Sequence, residues 1–434
     1  MPTAKSGKPG SAELADTVNM IDEALLKDPF RGYARIRERG RPARGVMSSG
    51  DPMWLVTSYD DVKALLSDPR FVTSPADVPG TDAPNLRAQE LAAGGVPPEY
   101  VDYMLTSIFE LNGAEHVGLR GLVSQAFTVR RVAKMRPRIE EFADMLLDRL
   151  PAAAEDGVVD LLPHFAYPLS GLVICELVGV PEENRDRWRE WARAIWSVSP
   201  QGKTEAWHSV VAYTRELIEQ RRAQPADDLI SGLIRAQSHD GVGRQGRGGG
   251  DKLSDVEIIT MVLVLVNTGH QTTAHLIGNG TAALLTHPRQ LALLRENSDL
   301  MPRAVHELMR WCAPTHMAHI RYATEDTEIG GMPVCKGDAV MPVLAGANYD
   351  PHVFDDPERF AIKRAPAGRI ENHVGFGYGP HYCLGAALAR QEAEVAFTAL
   401  LHRFPGLALA VDPDELEREP LRGHWRLAAL PVRL

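Results

Sequence analysis

A cysteine close to the C-terminal end carries the strongest chemical signal in the chain. Cys383 stands in Phe376-Gly-Tyr-Gly-Pro-His-Tyr-Cys-Leu-Gly385, a glycine-rich loop that runs into the helix-forming stretch Ala386-Ala-Leu-Ala-Arg390. A cysteine just ahead of a helix meets free backbone N–H groups and the positive end of the helix dipole, which favour thiolate over thiol. A thiolate is a strong iron ligand. Gly377 and Gly379 permit tight turns that aim amides at sulfur, and Gly385 leaves room for a flat macrocycle. Phe376 is placed to shield the sulfur from water, and His381 to donate to an acidic group on such a macrocycle. Two other readings stay open on the residues alone. One is an inert buried cysteine after a turn; the other is a nucleophile–base pair of Cys383 and His381, which two residues on a loop with no orienting acid nearby serve poorly.

A second signal is a polar patch inside an apolar helix. Ser254-Asp-Val-Glu257 fits a capping box, and the helical pattern continues to about Leu285, where Thr286-His-Pro288 stops it. Such a helix is a rod of roughly 48 Å. Most of its residues are apolar, which predicts burial, so the centre Asn267-Thr-Gly-His-Gln-Thr-Thr273 needs a reason. Gly269 costs about 1 kcal/mol relative to alanine in mid-helix, which predicts a close backbone approach. Thr268 and Thr272 lie one turn apart. A threonine bonding back to the carbonyl four residues earlier bends a helix, and a bend at Gly269 predicts a groove.

With these residues on the page, the chain resembles the cytochromes P450. Their haem-binding signature, Phe-Gly-x-Gly-x-His-x-Cys-x-Gly, is matched here at every fixed position. The resemblance implies that Cys383 ligates the iron of haem b and that sulfur pushes electron density toward O–O cleavage. It extends over residues 28–434 and is to the soluble bacterial, secondary-metabolite type. The implied fold is mainly α with small β-sheets, a single-domain P450 fold with a long central helix over the haem. Residues 1–27 are expected to be a disordered N-terminal segment.

Further positions follow from the resemblance. Glu307-Leu-Met-Arg310 puts acid and guanidinium on one helical face and matches the family's Glu-x-x-Arg, with Arg359 expected as the later arginine of a buried structural network. His116 and Arg120, one turn apart, and Arg321 match the contacts to the haem propionates. Thr268-Gly-His-Gln-Thr272 matches the oxygen-activation segment, but Gln271 stands where the family carries an acid. Glutamine hydrogen-bonds but cannot give up and recover a proton near neutral pH. Two outcomes stay open: water replaces the acid in an ordinary monooxygenase, or altered proton supply accompanies oxidative coupling or desaturation. Two other departures, Asn112-Gly-Ala-Glu115 and Asn348-Tyr-Asp350, read as local packing changes.

The implied activity is oxidation, most simply hydroxylation, of a medium to large organic substrate with O2. Electrons come from NAD(P)H through a separate ferredoxin and ferredoxin reductase, since no flavin or iron–sulfur motif is left over. By analogy the pocket involves 75–111, 188–207, 264–273, 314–319 and the turn at His424-Trp425. Thr268, Met317, His319 and Trp425 are candidate substrate contacts; Trp196, Trp207 and His316 are further aromatic candidates. Trp188 and Trp191, at helical spacing, read as core. A haem-binding sensor or carrier without catalysis is the alternative class.

The elements that must position these groups are mostly helical. Apolar residues recur three and four apart over 138–150, 182–196 and 205–222, with Pro181 as a first-turn residue. Strand patterns cluster at Met53-Trp-Leu-Val-Thr57 and over 328–343, with turns at Gly330-Gly331 and Lys336-Gly337. The low-complexity stretch 241–250 reads as a flexible loop; a phosphate-cradling role lacks the preceding strand. The 434 residues are 44% hydrophobic with a net charge of −10 and four cysteines. An acidic chain without basic blocks excludes nucleic acid as a partner of choice. Few cysteines fit a reducing compartment, and no apolar run is long enough for a bilayer. A cytoplasmic monomer off the membrane is expected.

Overall fold

The computed structural model describes residues 17–47, 50–196, 199–238, 253–364, 371–419 and 423–434. Residues 1–16 and the glycine-rich stretch 241–250 lie outside the described residues.

The organising element is the helix Asp255–Thr286. Both arms of its capping box form: the Glu257 N–H donates to Ser254 Oγ at 3.2 Å, and the Ser254 N–H donates to Glu257 Oε2 at 2.7 Å. It ends at His287, whose backbone leaves the helical region ahead of Pro288, as the residue before a proline does. Residues 258–266 are buried all round. That requires neighbours on every side, and the helices Tyr167–Val178, Pro200–Ala223, Met301–Cys312 and Ala386–Arg403 supply them.

Glycine and small residues let this helix sit close to its neighbours. A Cβ on Gly278 would come within 2.5 Å of Leu162, and one on Gly280 within 2.5 Å of Phe397. The apolar periodicities over 138–150 and 205–222 fall inside the helices Val129–Ala153 and Pro200–Ala223. The stretch 182–196 is divided into a 3-10 turn, Glu182–Asn184, and the helix Arg185–Ala194. Pro181 caps that turn with extended backbone and is not a first-turn residue.

The side sheet has six strands in the order Val18–Asn19, Ala43–Val46, Pro52–Val56, Ala339–Pro342, Arg321–Ala323 and Phe71–Val72. Trp54 lies opposite Val340 in the parallel pair at its centre, and the edge pair of Val18–Asn19 with Ala43–Val46 is parallel as well. Thr327–Ile329 and Met332–Val334 form a hairpin, with Gly330 and Gly331 at φ 52° and 72°, the left-handed region its two-residue turn needs. A three-stranded sheet joins Val158–Asp160, Pro431–Arg433 and Ala408–Leu409.

The boundary expected after residue 27 moves. Val18 pairs with Gly45, Asp22 caps the helix Glu23–Lys27 by accepting from the Ala24 and Leu25 N–H groups, and Met20 and Leu25 are buried. Strand pairing and a side-chain cap therefore fold residues 18–27 onto the rest of the chain. Among the described residues, no helix is long and apolar enough to cross a membrane.

Candidate active site

The Cys383 loop is shaped by its own backbone. Gly377 N–H donates to Val374 O at 2.8 Å, Tyr382 N–H to Gly379 O at 3.0 Å, and Cys383 N–H back to Phe376 O at 2.8 Å. Gly379 has φ 70°, and a Cβ there would meet the Leu66 carbonyl oxygen at 2.6 Å, so no side chain fits. Phe376 is buried between His373 and Tyr382, at ring distances of 5.8 and 6.3 Å. The helix Ala386–Arg403 starts three residues after the cysteine.

The Cys383 side chain faces open space and is exposed, yet enough protein surrounds it that desolvation pushes the thiol pKa up. Desolvation here outweighs the pull of the Gly385 N–H and of Arg120 and Arg390. A positive partner at the sulfur, such as iron, would hold it deprotonated.

Beside the loop, four nitrogen-bearing side chains converge from three parts of the chain. His116 and Arg120 come from the helix Gly113–Ser124, Arg321 opens the strand Arg321–Ala323, and His381 ends the 3-10 turn Gly379–His381. The His116 and His381 rings are 4.0 Å apart, and Arg120 donates to the Tyr382 carbonyl at 2.6 Å. Arg321 is only 3% exposed and donates to the His319 carbonyl at 3.3 Å; among the described residues it has no carboxylate within ion-pairing distance. Burial lowers Arg321 to about 10 and His116 to about 4, with Arg120 and Arg321 pushing His116 further. Burial and the same two guanidiniums take His381 to about 2. His116 Nε2 is buried and meets no protein partner. Buried cations without an anion are costly, so this cluster fits an anionic group such as the propionates of haem. The residues present fit that cofactor.

His319, expected near substrate, stands at the edge of the cluster. It stacks on Phe109 at 4.7 Å and lies 3.4 Å from Glu110, a buried carboxylate also approached by Arg87 at 3.7 Å. Asn112, one of the departures from the family pattern, accepts from the Thr73 N–H at 3.1 Å and donates to Asp77 at 2.8 Å. It ties the strand Phe71–Val72 and the turn after it to the helix of His116.

Beneath the loop, Glu307 and Arg310 form the expected pair, both buried. Arg310 also donates to the carbonyls of Asn348 and Pro357, at 3.0 and 2.9 Å. Asn348 Oδ1 accepts from the Val374 N–H at 2.8 Å, which joins the network to the cysteine loop. Tyr349 lies under the Arg310 guanidinium at 5.4 Å. Arg359 is not the third member: its side chain is 66% exposed and pairs with Asp356 at 3.4 Å. The turn at Asp356, with φ 48°, sends Arg359 outward, and Arg364 reaches back to Glu307 at 3.1 Å. No spacing rule in the sequence singled out Arg364.

On the central helix, Thr272 donates to the Thr268 carbonyl at 2.6 Å and Thr268 to the Val264 carbonyl at 2.8 Å. The helix is unbroken through Gly269, and the close approach expected there is to a neighbouring helix: a Cβ would stand 2.5 Å from Ile174 Cδ1. Gly269 packs against that neighbour, while Asn267, Thr268, Gly269 and Thr272 stay partly exposed on a helix whose flanking residues are buried. Leu276, one turn on from Thr272, belongs to the same core cluster as Phe376 and Phe397. Gln271 is buried and its Oε1 accepts nothing from the protein.

Trp425, another expected substrate contact, is held in packing, under Arg418 at 3.8 Å and edge-on to Phe30 at 5.2 Å. Met317 lies against the turn at Gly423. Trp207 stacks on Tyr100, His316 is buried beside Tyr33, and Trp188 and Trp191 pack around Tyr213. Trp196 comes 6.0 Å from His424.

His306, Glu371 and His373 bring three ligand-type atoms within 4.8 Å of one another. They read better as a hydrogen-bonded set. The Gly375 N–H donates to His373 Nδ1 at 3.2 Å, so His373 Nε2 carries the proton and donates to His306 Nδ1, also at 3.2 Å. Glu371 is engaged by Tyr382 and Arg390.

Residues 98–422 match the family model described as cytochrome P450. The chain is 40% identical over 422 residues to 6-deoxyerythronolide B hydroxylase of Saccharopolyspora erythraea, covering 96% of this chain and 98% of that one. It is 38% identical to cytochrome P450 monooxygenase PikC of Streptomyces venezuelae, over 100% of this chain and 97% of that one. Among solved structures, ligand-free P450 monooxygenase TamI superposes with a TM-score of 0.83 at 36% identity, covering 97% of this chain and 95% of that chain. The cytochrome P450 PksS of the Bacillus subtilis 168 bacillaene polyketide synthase gives 0.81 at 34% identity, covering 96% and 99%.

Proposed function

The chain belongs to the cytochrome P450 family, whose members use haem iron, O2 and electrons from a redox partner, and we propose that this monooxygenase hydroxylates a medium to large secondary metabolite of polyketide type. The relatives named above support the substrate class. One observation carries the site: Cys383 lies beside the buried His116 and Arg321 and the half-buried Arg120 and His381, and among the described residues Arg321 has no ion pair.

Cys383 would ligate the iron, and the four cationic or imidazole groups would hold the propionates. Bound haem supplies the oxygen-activating redox chemistry; the protein supplies position, electrostatics and protons. The Thr272 hydroxyl spends its proton on the Thr268 carbonyl, so its lone pairs are left to accept from a water. The Gln271 amide orients a water but passes no proton.

A ferredoxin with its reductase is the proposed electron source. On the cysteine loop itself, Tyr378 is exposed under Lys63 at 4.6 Å, an aromatic and a cation open to a partner. We assign a monomer working in the cytoplasm.

The test is the absorption of reduced, carbon monoxide-treated protein reconstituted with hemin. The long-wavelength Soret band of sulfur ligation is expected in the native protein and lost in Cys383→Ser; its absence from the native protein would overturn the reading. Turnover of macrolactone scaffolds with a surrogate ferredoxin then separates the enzyme from a haem-binding sensor or carrier, and product analysis separates hydroxylation from coupling or desaturation.

A further inference from the structure

We propose that His275 relays protons to the Thr272 side of the central helix, in place of the acid that position 271 lacks. The proposal rests on the haem-thiolate reading above.

Helix geometry puts the groups together. At about 100° per residue, His275 lies roughly 60° round from Thr272 and roughly 40° from Gln271. The three share one side of the helix; His270, farther round, bonds to the Tyr167 carbonyl at 3.0 Å and shares the Tyr167 ring with His275. His275 is 4% exposed, and neither of its ring nitrogens meets a protein partner. The Tyr167 and His424 rings stand edge-on to it, each at 6.1 Å.

A neutral imidazole offers one donor and one acceptor, and a buried polar atom left unmatched is costly. His275 has both nitrogens in that condition, one turn from a buried glutamine oxygen in the same condition. Water matches all three, because a buried water needs two to four polar partners. Arg426, whose charge reaches His275, is paired with Glu419, whose side chain is 43% exposed.

The environment selects a relay over a reservoir. Burial, His424, Arg426 and His270 all hold His275 well below its ordinary pKa, so it stores no proton at neutral pH. It passes one instead. A water gives a proton to the bare nitrogen while the other nitrogen releases its own to the water beside Thr272. The ring stays neutral and its tautomer is reversed; a flip of the ring about its Cβ–Cγ bond, not back-transfer along the same waters, resets it for the next proton. Bulk water is the proton source, and no electron moves.

The test uses hemin-loaded enzyme, NADPH, O2 and a surrogate ferredoxin with its reductase, without added substrate. His275→Phe removes both nitrogens and should slow the proton-dependent, water-forming turnover on the order of tenfold. The peroxide share should rise with it, as should the solvent deuterium effect. His275→Gln keeps a donor and an acceptor but cannot pass a proton, so it must be as impaired as His275→Phe. Full activity in His275→Gln, or an unchanged deuterium effect, overturns the relay. A second readout is the crystal structure of the loaded protein: waters are expected on both ring nitrogens, and a dry ring overturns the proposal. The carbon monoxide spectrum of each variant tests sulfur ligation separately, so a failure of the haem reading is distinguishable from a failure of the relay.

Discussion

Arg310 donates two parallel hydrogen bonds to Glu307, Nε to Oε2 at 2.8 Å and Nη2 to Oε1 at 2.9 Å, and both side chains are buried. The fork geometry matches a carboxylate and leaves no donor idle, since Nη1 serves two carbonyls. Removing one partner strands the other. Glu307→Gln is expected to cost about 3–5 kcal/mol in urea unfolding. Arg364→Ala should also destabilise, whereas Arg359→Ala should stay within about 0.5 kcal/mol because its side chain faces solvent. Equal effects at 359 and 364 would contradict the network described.

Arg321 is a buried guanidinium with no ion pair among the described residues. Desolvation outweighs the support of Glu110, so Arg321→Met should raise the unfolding midpoint of haem-free protein. The same change should weaken hemin retention, measured by transfer to apomyoglobin. Weaker retention without a stability gain would mean that protein groups already satisfy the guanidinium.

Gly269 is a packing position. A methyl there would stand 2.5 Å from Ile174 Cδ1, the movable end of a side chain, so Gly269→Ala should cost about 1 kcal/mol, the low end for overpacking. Ile174→Val removes the clashing atom, so the double variant should recover most of the Gly269→Ala loss in a mutant cycle.

Glu392 is fully buried in the helix Ala386–Arg403, accepts from Ser170, and is pushed by desolvation up to about 8. Its folded pKa lies above the ordinary 4.5. The folded state therefore binds the extra proton between those values, and stability falls as pH rises through that window, by a few kcal/mol in order of magnitude. Glu392→Gln should flatten the decline between pH 5 and 9 in denaturant titrations. A slope identical to the native protein would place the titrating group elsewhere.

Thr272 has its proton committed to the Thr268 carbonyl and acts as an acceptor. Thr272→Ala should divert reducing equivalents from NAD(P)H into hydrogen peroxide; unchanged product yield per NAD(P)H would count against that role. Gln271→Glu restores a titratable group, and a change in coupling is expected from it. No change would mean that water already replaces the acid.

Much of this protein was legible without its fold. The Cys383 motif, the capping box at Ser254 and Glu257, the Glu307–Arg310 spacing and the glycine turn at 330–331 are all local, and local chemistry depends on neighbours in the chain. Contacts between distant segments were not legible. Arg364 in place of Arg359 was decided by a left-handed turn at Asp356; Ile174 against Gly269 was decided by helix packing. The Cys383 sulfur shows the difference most clearly. Chain position puts it ahead of a helix, which favours the thiolate, while the protein folded around it raises the pKa. Desolvation depends on everything within reach, and only the tertiary structure determines what that is.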